Sequence, residues 1–339
     1  MSILVIYAGG TIGMQPGKAG LAPVPGALTG RLRQLLPDAE LIEYAPLLDS
    51  SAMGPAHWNR IGADIAERAH RYDGFLVLHG TDTLAWTASA LSMLLRGLNK
   101  PVLLTGAMRP WFESGSDAPG NVASALALLS EHGGFAEVGV VMANRLWRGS
   151  RVRKLDCDRD DAFAAPNEPP LGQFVAGRWQ LTSSRFLPAL EKGVAFVPFN
   201  AAARVLHAQL APGFTVDWLA DALRASAPDA LLLQSFGSGN LPDHAGLLTA
   251  LAELATQVPV VNLSICPAGR ARPGLYAAGV LSGRAMMLDG GQMTPEAALA
   301  KLYAVLRSEG GAEARSRAFA ENWCGEHGEA NSPIDGVVV

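Results

Sequence analysis

Four residues of this chain are of the types that together can activate a hydroxyl group: Thr11 in AGGTIGM, Thr81 and Asp82 in HGTDT, and Lys154 at the end of RGSRVRK. A threonine hydroxyl is a poor nucleophile until a base removes its proton. A lysine brought beside a carboxylate and a hydroxyl can be desolvated and act as the proton carrier. The lysine then takes the hydroxyl proton, the aspartate orients the lysine or a substrate amine, and backbone amides of a glycine loop help to stabilise a tetrahedral oxyanion. The glycines before Thr11 allow the sharp turn that leaves such amides free. Taken alone, GGTIG is equally a structural turn, and it lacks the spacing of a dinucleotide fingerprint.

Two further stretches carry polar groups at comparable places. Asp49, Ser50 and Ser51 in LLDSSAM either meet a ligand or cap the helix that begins near Pro55, and capping alone accounts for them. HGTDT sets two hydroxyls around a carboxylate, more than a helix cap requires. In TGAMRP, Ala107 offers a backbone carbonyl, and Arg109 either faces a ligand or serves as a structural ion-pair partner.

Every one of these stretches follows a short apolar run: SILVIYA, ELIEYAP, GFLVLHG, PVLLTG and VGVVMAN. Between them lie helical patterns near 27–36, 56–71, 83–97 and 120–132. Continuous apolar runs suit strands covered on both faces by crossover helices, which predicts a doubly wound, mostly parallel α/β sheet. Ligands of such sheets sit beyond the carboxyl ends of the strands, where these loops fall. From 155 to 206 the pattern dissolves into short β-like pieces, and a second alternation starts at VLHAQLAP, with a terminal helix near 294–308. The parse is an N-terminal α/β catalytic domain over 1–183, a linker over 184–206 and a smaller C-terminal α/β domain over 207–339.

Composition narrows the partners. With 339 residues, 49% of them hydrophobic and 17% charged, the chain can bury a large core. The net charge is −4, and the one basic cluster, RGSRVRK, is too short for a nucleic-acid footprint. No segment approaches the length of a membrane span, and the first residues read as a strand rather than a secretory signal. Three widely spaced cysteines, Cys157, Cys266 and Cys324, fit a reduced compartment, with the cytoplasm as the default. The expected partner is a small molecule, with no nucleic acid and no membrane.

GGTIG, DSSAM, HGTDT, TGAMRP and the MAN to RVRK segment, in this order, resemble the bacterial-type L-asparaginases, in particular their cytoplasmic type I branch. The similarity continues through DAFAAPNEPPLG, FGSGNLP, VVNLSICPAGR and GGQMTPEAALAKLY. The resemblance implies that Thr11 attacks the side-chain amide carbon of L-asparagine, giving a β-acyl-enzyme that water releases as L-aspartate. It implies a second catalytic group of Thr81, Asp82 and Lys154, and substrate contacts from Asp49, Ser50, Ser51, Thr81, Asp82 and the Ala107 carbonyl. No metal and no organic cofactor is implied. It also implies a homodimer or homotetramer in which a neighbouring subunit completes the active site through Asn240 of GSGNLP.

Four positions depart from that pattern. Ala8 stands where the family motif opens with threonine, and Ala118 where glycine is common. Leu21 occupies the position, ten residues after Thr11, of the lid tyrosine that helps to polarise the nucleophile; a leucine can neither donate nor accept a hydrogen bond. Gln234 replaces the arginine of a regulatory asparagine site, so weak or absent cooperativity is expected, with Ser264 retained and Cys266 read as a small buried hydrophobe. Two rivals stay open at this level. One is the same chemistry on glutamine or another small amide, because one methylene is worth only about 1–3 kcal/mol of discrimination. The other is an amino-acid-binding or sensing protein, suggested by Leu21 and Gln234 and opposed by the retention of Thr11, Thr81, Asp82 and Lys154.

Overall fold

Each apolar run forms a strand in the computed structural model, which describes residues 2–17, 20–131, 134–272 and 287–328. The described residues divide into two units, one within Met1–Ala165 and Pro169–Pro198, the other within Pro166–Glu168 and Phe199–Val339. The first unit contains β1 (Ile3–Gly9), β2 (Met14–Gly17), β3 (Gly20–Pro23), α1 (Ala27–Leu35), β4 (Glu40–Leu48), α2 (Pro55–Arg68), β5 (Gly74–Leu78), α3 (Leu84–Leu94), β6 (Val102–Thr105) and α4 (Ala118–Glu131). It continues with β7 (Val138–Met142), β8 (Arg145–Arg148), β9 (Arg153–Lys154), β10 (Phe163–Ala164), β11 (Gly172–Val175) and β12 (Arg178–Leu181).

Eight of these strands form one sheet in the order β12-β11-β8-β7-β6-β5-β1-β4. From β4 to β7 the pairings are parallel, and β8, β11 and β12 extend the edge in antiparallel fashion. Counting only the parallel strands, the order is second, first, third, fourth, fifth. Consecutive connections therefore leave β1 in opposite directions, which makes the β1/β5 boundary a topological switch point. Alternate residues explain the continuous apolar runs: Val5, Tyr7, Leu76, Leu78 and Leu103 join the core shared with α1 and α4, while Leu4, Ile6, Phe75 and Val77 are buried on the other side.

Two local features were not legible as periodicity. The glycine- and proline-rich segment after Thr11 pairs as a two-stranded hairpin, β2 with β3, in which Leu21 faces Pro16. The region after Lys154 is organised by short antiparallel ladders, β9 with β10 and β11 with β12.

The second unit contains β13 (Val205–Gln209), α5 (Thr215–Ser226), β14 (Ala230–Ser235), α6 (Ala245–Ala255), β15 (Val260–Ser264), β16 (Leu288–Asp289), α7 (Pro295–Val305) and α8 (Ala312–Ala320). Its strands are parallel in the order β13-β14-β15-β16. Leu231 and Leu233 pack with α5 and α6, whereas Leu232 and Val261 pack with α7, so the run ALLL is apolar because both faces are covered. Asn167 joins this unit by accepting from Gly269 N and donating to the carbonyls of Gly269 and Gln292. Lys301 on α7 is fully buried and ion-pairs with the equally buried Glu326, whose carboxylate also accepts from the Trp323 and Cys324 amides.

One buried polar pair lies directly under the switch point. His79, which extends β5 by donating its N–H to the Thr105 carbonyl at 2.9 Å, is completely buried. Its Nδ1 lies 2.7 Å from the Gly80 carbonyl and its Nε2 2.8 Å from Thr87 Oγ1 on α3. A carbonyl only accepts, so Nδ1 carries the proton and the Thr87 hydroxyl donates to Nε2. Burial pushes the imidazole down from 6.5 to about 4, leaving it neutral in the folded chain.

That shift has a consequence for acid stability. Between pH 6.5 and about pH 4 the unfolded chain binds a proton at this side chain that the folded chain does not. Stability therefore falls as pH drops through this window and levels off below it, by about 3 kcal/mol in total. Urea unfolding of wild type and His79→Asn from pH 7 down to pH 4 should show the wild type losing more stability on acidification. Parallel pH dependences for the two proteins would refute this.

Candidate active site

Thr11 opens a single 3-10 turn, Thr11–Gly13, immediately after β1, and it is half-buried. The turn is set by Gly10 at φ +95°, where a side chain would be strained and where a Cβ would lie 2.3 Å from the Gly80 Cα. The loops that follow β1 and β5 thus touch backbone to backbone at the switch point. Thr11 and Thr81 each sit one residue beyond that contact. Gly80 is crowded by the loop after β4 as well, since a Cβ there would lie 2.5 Å from the Ser50 Oγ. Three loops therefore converge on one peptide.

Ser50 is buried, and its carbonyl accepts from Thr83 Oγ1 at 2.6 Å. Asp49 and Ser51 are exposed, and the Asp49 carboxylate accepts from the Ser51 amide at 2.9 Å. Asp49 thus caps the short turn Ser50–Ala52, while α2 begins five residues after Ser50 with Gly54 as its cap.

Lys154 arrives from β9, which pairs with β10 through Phe163. Its Nζ donates to Thr81 Oγ1 at 3.0 Å and to Asp82 Oδ1 at 2.8 Å. The lysine side chain is 18% exposed and that of Asp82 65% exposed, so the ammonium is the more enclosed partner. Thr81 is buried, which leaves its hydroxyl directed into the lysine rather than into solvent. The arrangement can move a proton between a hydroxyl and an amine while a carboxylate at the mouth remains open to a ligand.

The loop after β6 is fixed from below. The Asp117 carboxylate accepts from the Met108 and Arg109 amides, each at 3.0 Å. Buried Asn121 donates to the Gly106 carbonyl at 3.1 Å and accepts from the Ala143 amide at 3.0 Å. Arg109 forms an ion pair with Asp160 at 2.5 Å, linking this loop to the segment after Lys154. Ala107 lies between these anchors, almost wholly buried. The Trp111 amide donates to the Ile12 carbonyl at 2.9 Å and so ties the same segment to the Thr11 turn.

The structure therefore gathers Thr11, Ser50, Thr81, Asp82 and Lys154 around the ends of β1, β4 and β5, with Asp49 and Ser51 on the adjoining turn. Leu21 sits on the exposed hairpin, half accessible to solvent. Tyr7 packs beneath Gly13 with its hydroxyl buried, and burial raises its pKa, so this phenol holds its proton tightly. Asn240 belongs to the second unit, in a turn where its amide donates to the Phe236 carbonyl at 2.8 Å and its side-chain oxygen is buried without a partner. In that unit Gln234 links the His207 ring at 2.9 Å to the Ser264 carbonyl at 3.3 Å. Cys266 is exposed, a correction to its expected burial: it lies just past the end of β15, where the chain has left the covered sheet.

Sequence reasoning missed the supports: His79 with Thr87, Asn121 as a bridge to the β7–β8 turn, and Asp160 as the partner of Arg109. Of these, the sequence offered only Arg109 as a structural ion-pair partner, without naming Asp160. Among the described residues, Asp156, Cys157 and Asp158 form a group close enough to share a cation. Asp156 there already accepts from the Asp158 and Arg159 amides.

The chain is similar to known proteins over nearly its whole length. Residues 2–186 match the family model for the asparaginase N-terminal domain, and residues 204–319 that for the glutaminase/asparaginase C-terminal domain. L-asparaginase 1 of Escherichia coli K12 is 38% identical over 342 aligned positions, covering 96% of this chain and 97% of that protein. The thermostable L-asparaginase of Thermococcus kodakarensis superposes with a TM-score of 0.86 at 30% identity, over 97% of this chain and all of its own. L-asparaginase I of Vibrio cholerae gives a TM-score of 0.86 at 34% identity, over 96% of this chain and 98% of its own. With strand-end loops arranged around the switch point and both domains matched, the chain belongs to the asparaginase family.

Proposed function

We propose that this protein hydrolyses the side-chain amide of L-asparagine to L-aspartate and ammonia, without a metal or organic cofactor. The observation that carries the reading is the Lys154 Nζ held between Thr81 and Asp82, beside the loop that presents Thr11. Thr11 Oγ adds to the amide carbon, and its proton passes toward the leaving nitrogen. Collapse of the tetrahedral intermediate expels ammonia and leaves a β-aspartyl ester on Thr11. Thr81, activated through Lys154, then directs a water onto that ester, and Thr11 regains its proton as L-aspartate leaves. Asp82, Asp49, Ser50 and Ser51 hold the α-amino and α-carboxylate groups, the carboxylates taking the amine and the hydroxyls the carboxylate. The Ala107 carbonyl accepts from the substrate amide.

The working form in this reading is a homodimer or homotetramer, with Asn240 of a neighbouring subunit completing the site. The buried, unpartnered side-chain oxygen of Asn240 supports it as a group awaiting a partner. Cytoplasmic residence is supported by the exposed thiols of Cys157 and Cys266. Among the described residues no helix is long and apolar enough to cross a membrane.

Ammonia release from L-Asn, D-Asn and L-Gln tests the substrate. Thr11→Ala and Lys154→Met should each lower kcat on L-Asn by at least about 1,000-fold; wild-type turnover by Thr11→Ala would overturn the mechanism. Leu21→Tyr restores a phenol on the hairpin and should raise kcat by about tenfold or more, within the range of a general acid–base partner. An unchanged kcat would mean that another group already carries that proton. Sedimentation run alongside activity should find turnover only in assembled protein, and full turnover by a demonstrated monomer would rule out the contribution of Asn240.

A further inference from the structure

The convergence of three loops on the Gly80 peptide raises the question of what fixes that peptide. Gly80 has no side chain, and the groups crowding it, Gly10 and Ser50, are themselves loop residues. Its carbonyl, however, faces the His79 Nδ1 at 2.7 Å, and the far edge of the same ring is held by Thr87 Oγ1 at 2.8 Å. All of these partners are fully buried. The Thr87 amide in turn donates to the Thr83 carbonyl at 3.0 Å, so the hydroxyl is mounted on the first turn of α3.

We propose that His79 and Thr87 form a positioning pair for the amide hydrolysis assigned above, acting through the Gly80 peptide on the spacing between Thr11 and Thr81; the proposal rests on that assignment. Neither side chain reaches the substrate. Burial keeps the imidazole neutral, and the acceptor-only Gly80 carbonyl selects the Nδ1–H tautomer, which turns Nε2 into an acceptor. The Thr87 hydroxyl satisfies that acceptor and locks the ring plane. With the ring locked, the Gly80 carbonyl has one orientation, and the peptide plane that follows it orients Thr81 toward Lys154. Gly10 abuts the preceding peptide, at the His79 carbonyl carbon and the Gly80 N and Cα, and the two peptides share the Gly80 Cα, so the tilt of the Gly80 carbonyl also bears on where the Thr11 turn sits. Rotating one buried ring therefore displaces both hydroxyls relative to each other, and sub-ångström errors in reacting geometry are costly.

The test uses two variants of nearly equal size in the assembled, full-length enzyme. Thr87→Val keeps the shape of the side chain and deletes the donor, whereas Thr87→Ser keeps the donor. Thr87→Val should lower kcat on L-asparagine about tenfold with KM within about twofold, and Thr87→Ser should stay within about twofold of wild type in both. Thermal unfolding midpoints, measured in parallel, confirm that each variant is folded under the assay conditions. In 15N-histidine-labelled protein the slowly exchanging Nδ1–H signal, assigned by its loss in His79→Asn, should persist in wild type and Thr87→Ser and be lost or broadened in Thr87→Val. Wild-type kcat in Thr87→Val, or equal losses in both Thr87 variants, would overturn the proposal. A wild type that releases no ammonia from L-asparagine would instead defeat the assigned function, and the Nδ1–H signal would still report whether Thr87 locks the ring.

Discussion

The approach of Gly10 to Gly80 is the constraint on which the rest of the site depends. Two adjacent parallel strands, β1 and β5, end at the same height, and their connections depart in opposite directions. Their first loop residues must then pass one another within van der Waals distance, which only a chain without a Cβ at residue 10 can do. Once that contact exists, the next residue of each loop is brought to the same side of the crevice. The two residues are threonines. The pair proposed to react is thus a product of strand order, and the distance between its members is set by backbone packing rather than by any bond between them.

Lysine 154 reaches this pair from an unrelated direction, on a two-residue strand whose register is fixed by β10. Its ion pair with Asp82 is of the exposed kind that contributes at most about 1 kcal/mol to stability. The ion pair therefore does not hold the site together. The supports are other groups: Asp117 and Asn121 grip the backbone on either side of Ala107, Arg109 and Asp160 tie neighbouring loops at the surface, and buried His79 with Thr87 faces the Gly80 carbonyl. The exposed Asp82 carboxylate remains available for a ligand, while Asp117, Asn121 and the buried pair of His79 and Thr87 carry the geometry.

The second unit uses buried polarity differently. Lys301 and Glu326 are both inaccessible to solvent, and the carboxylate also accepts two backbone amides. Removing either partner would strand a charge, at a cost far above that of an exposed pair. That pair fixes the segment after α8 to α7. The unit also presents Asn240 with an unsatisfied side-chain oxygen in a tight turn, and Gln234 bridged to His207 at the end of a buried strand.

The sequence by itself determined the parallel sheet and the loops that matter. Apolar runs covered on both faces, ending in GGT, DSS, HGTD and TGA, state where strands stop and polar chemistry begins, because burial on two faces excludes polar residues and strand ends do not. It also identified Lys154, since a lysine closing a basic run beside short β-like pieces stood out by type. Only the tertiary structure decided which polar groups meet. Strand order, invisible to periodicity, brought Gly10 against Gly80. A register between two two-residue strands aimed Lys154, and contacts between residues far apart in the chain supplied Asn121 and Asp160. The hairpin bearing Leu21 was hidden for the same reason: glycine and proline mark a turn in the sequence, but pairing of β2 with β3 depends on backbone hydrogen bonds that composition does not encode.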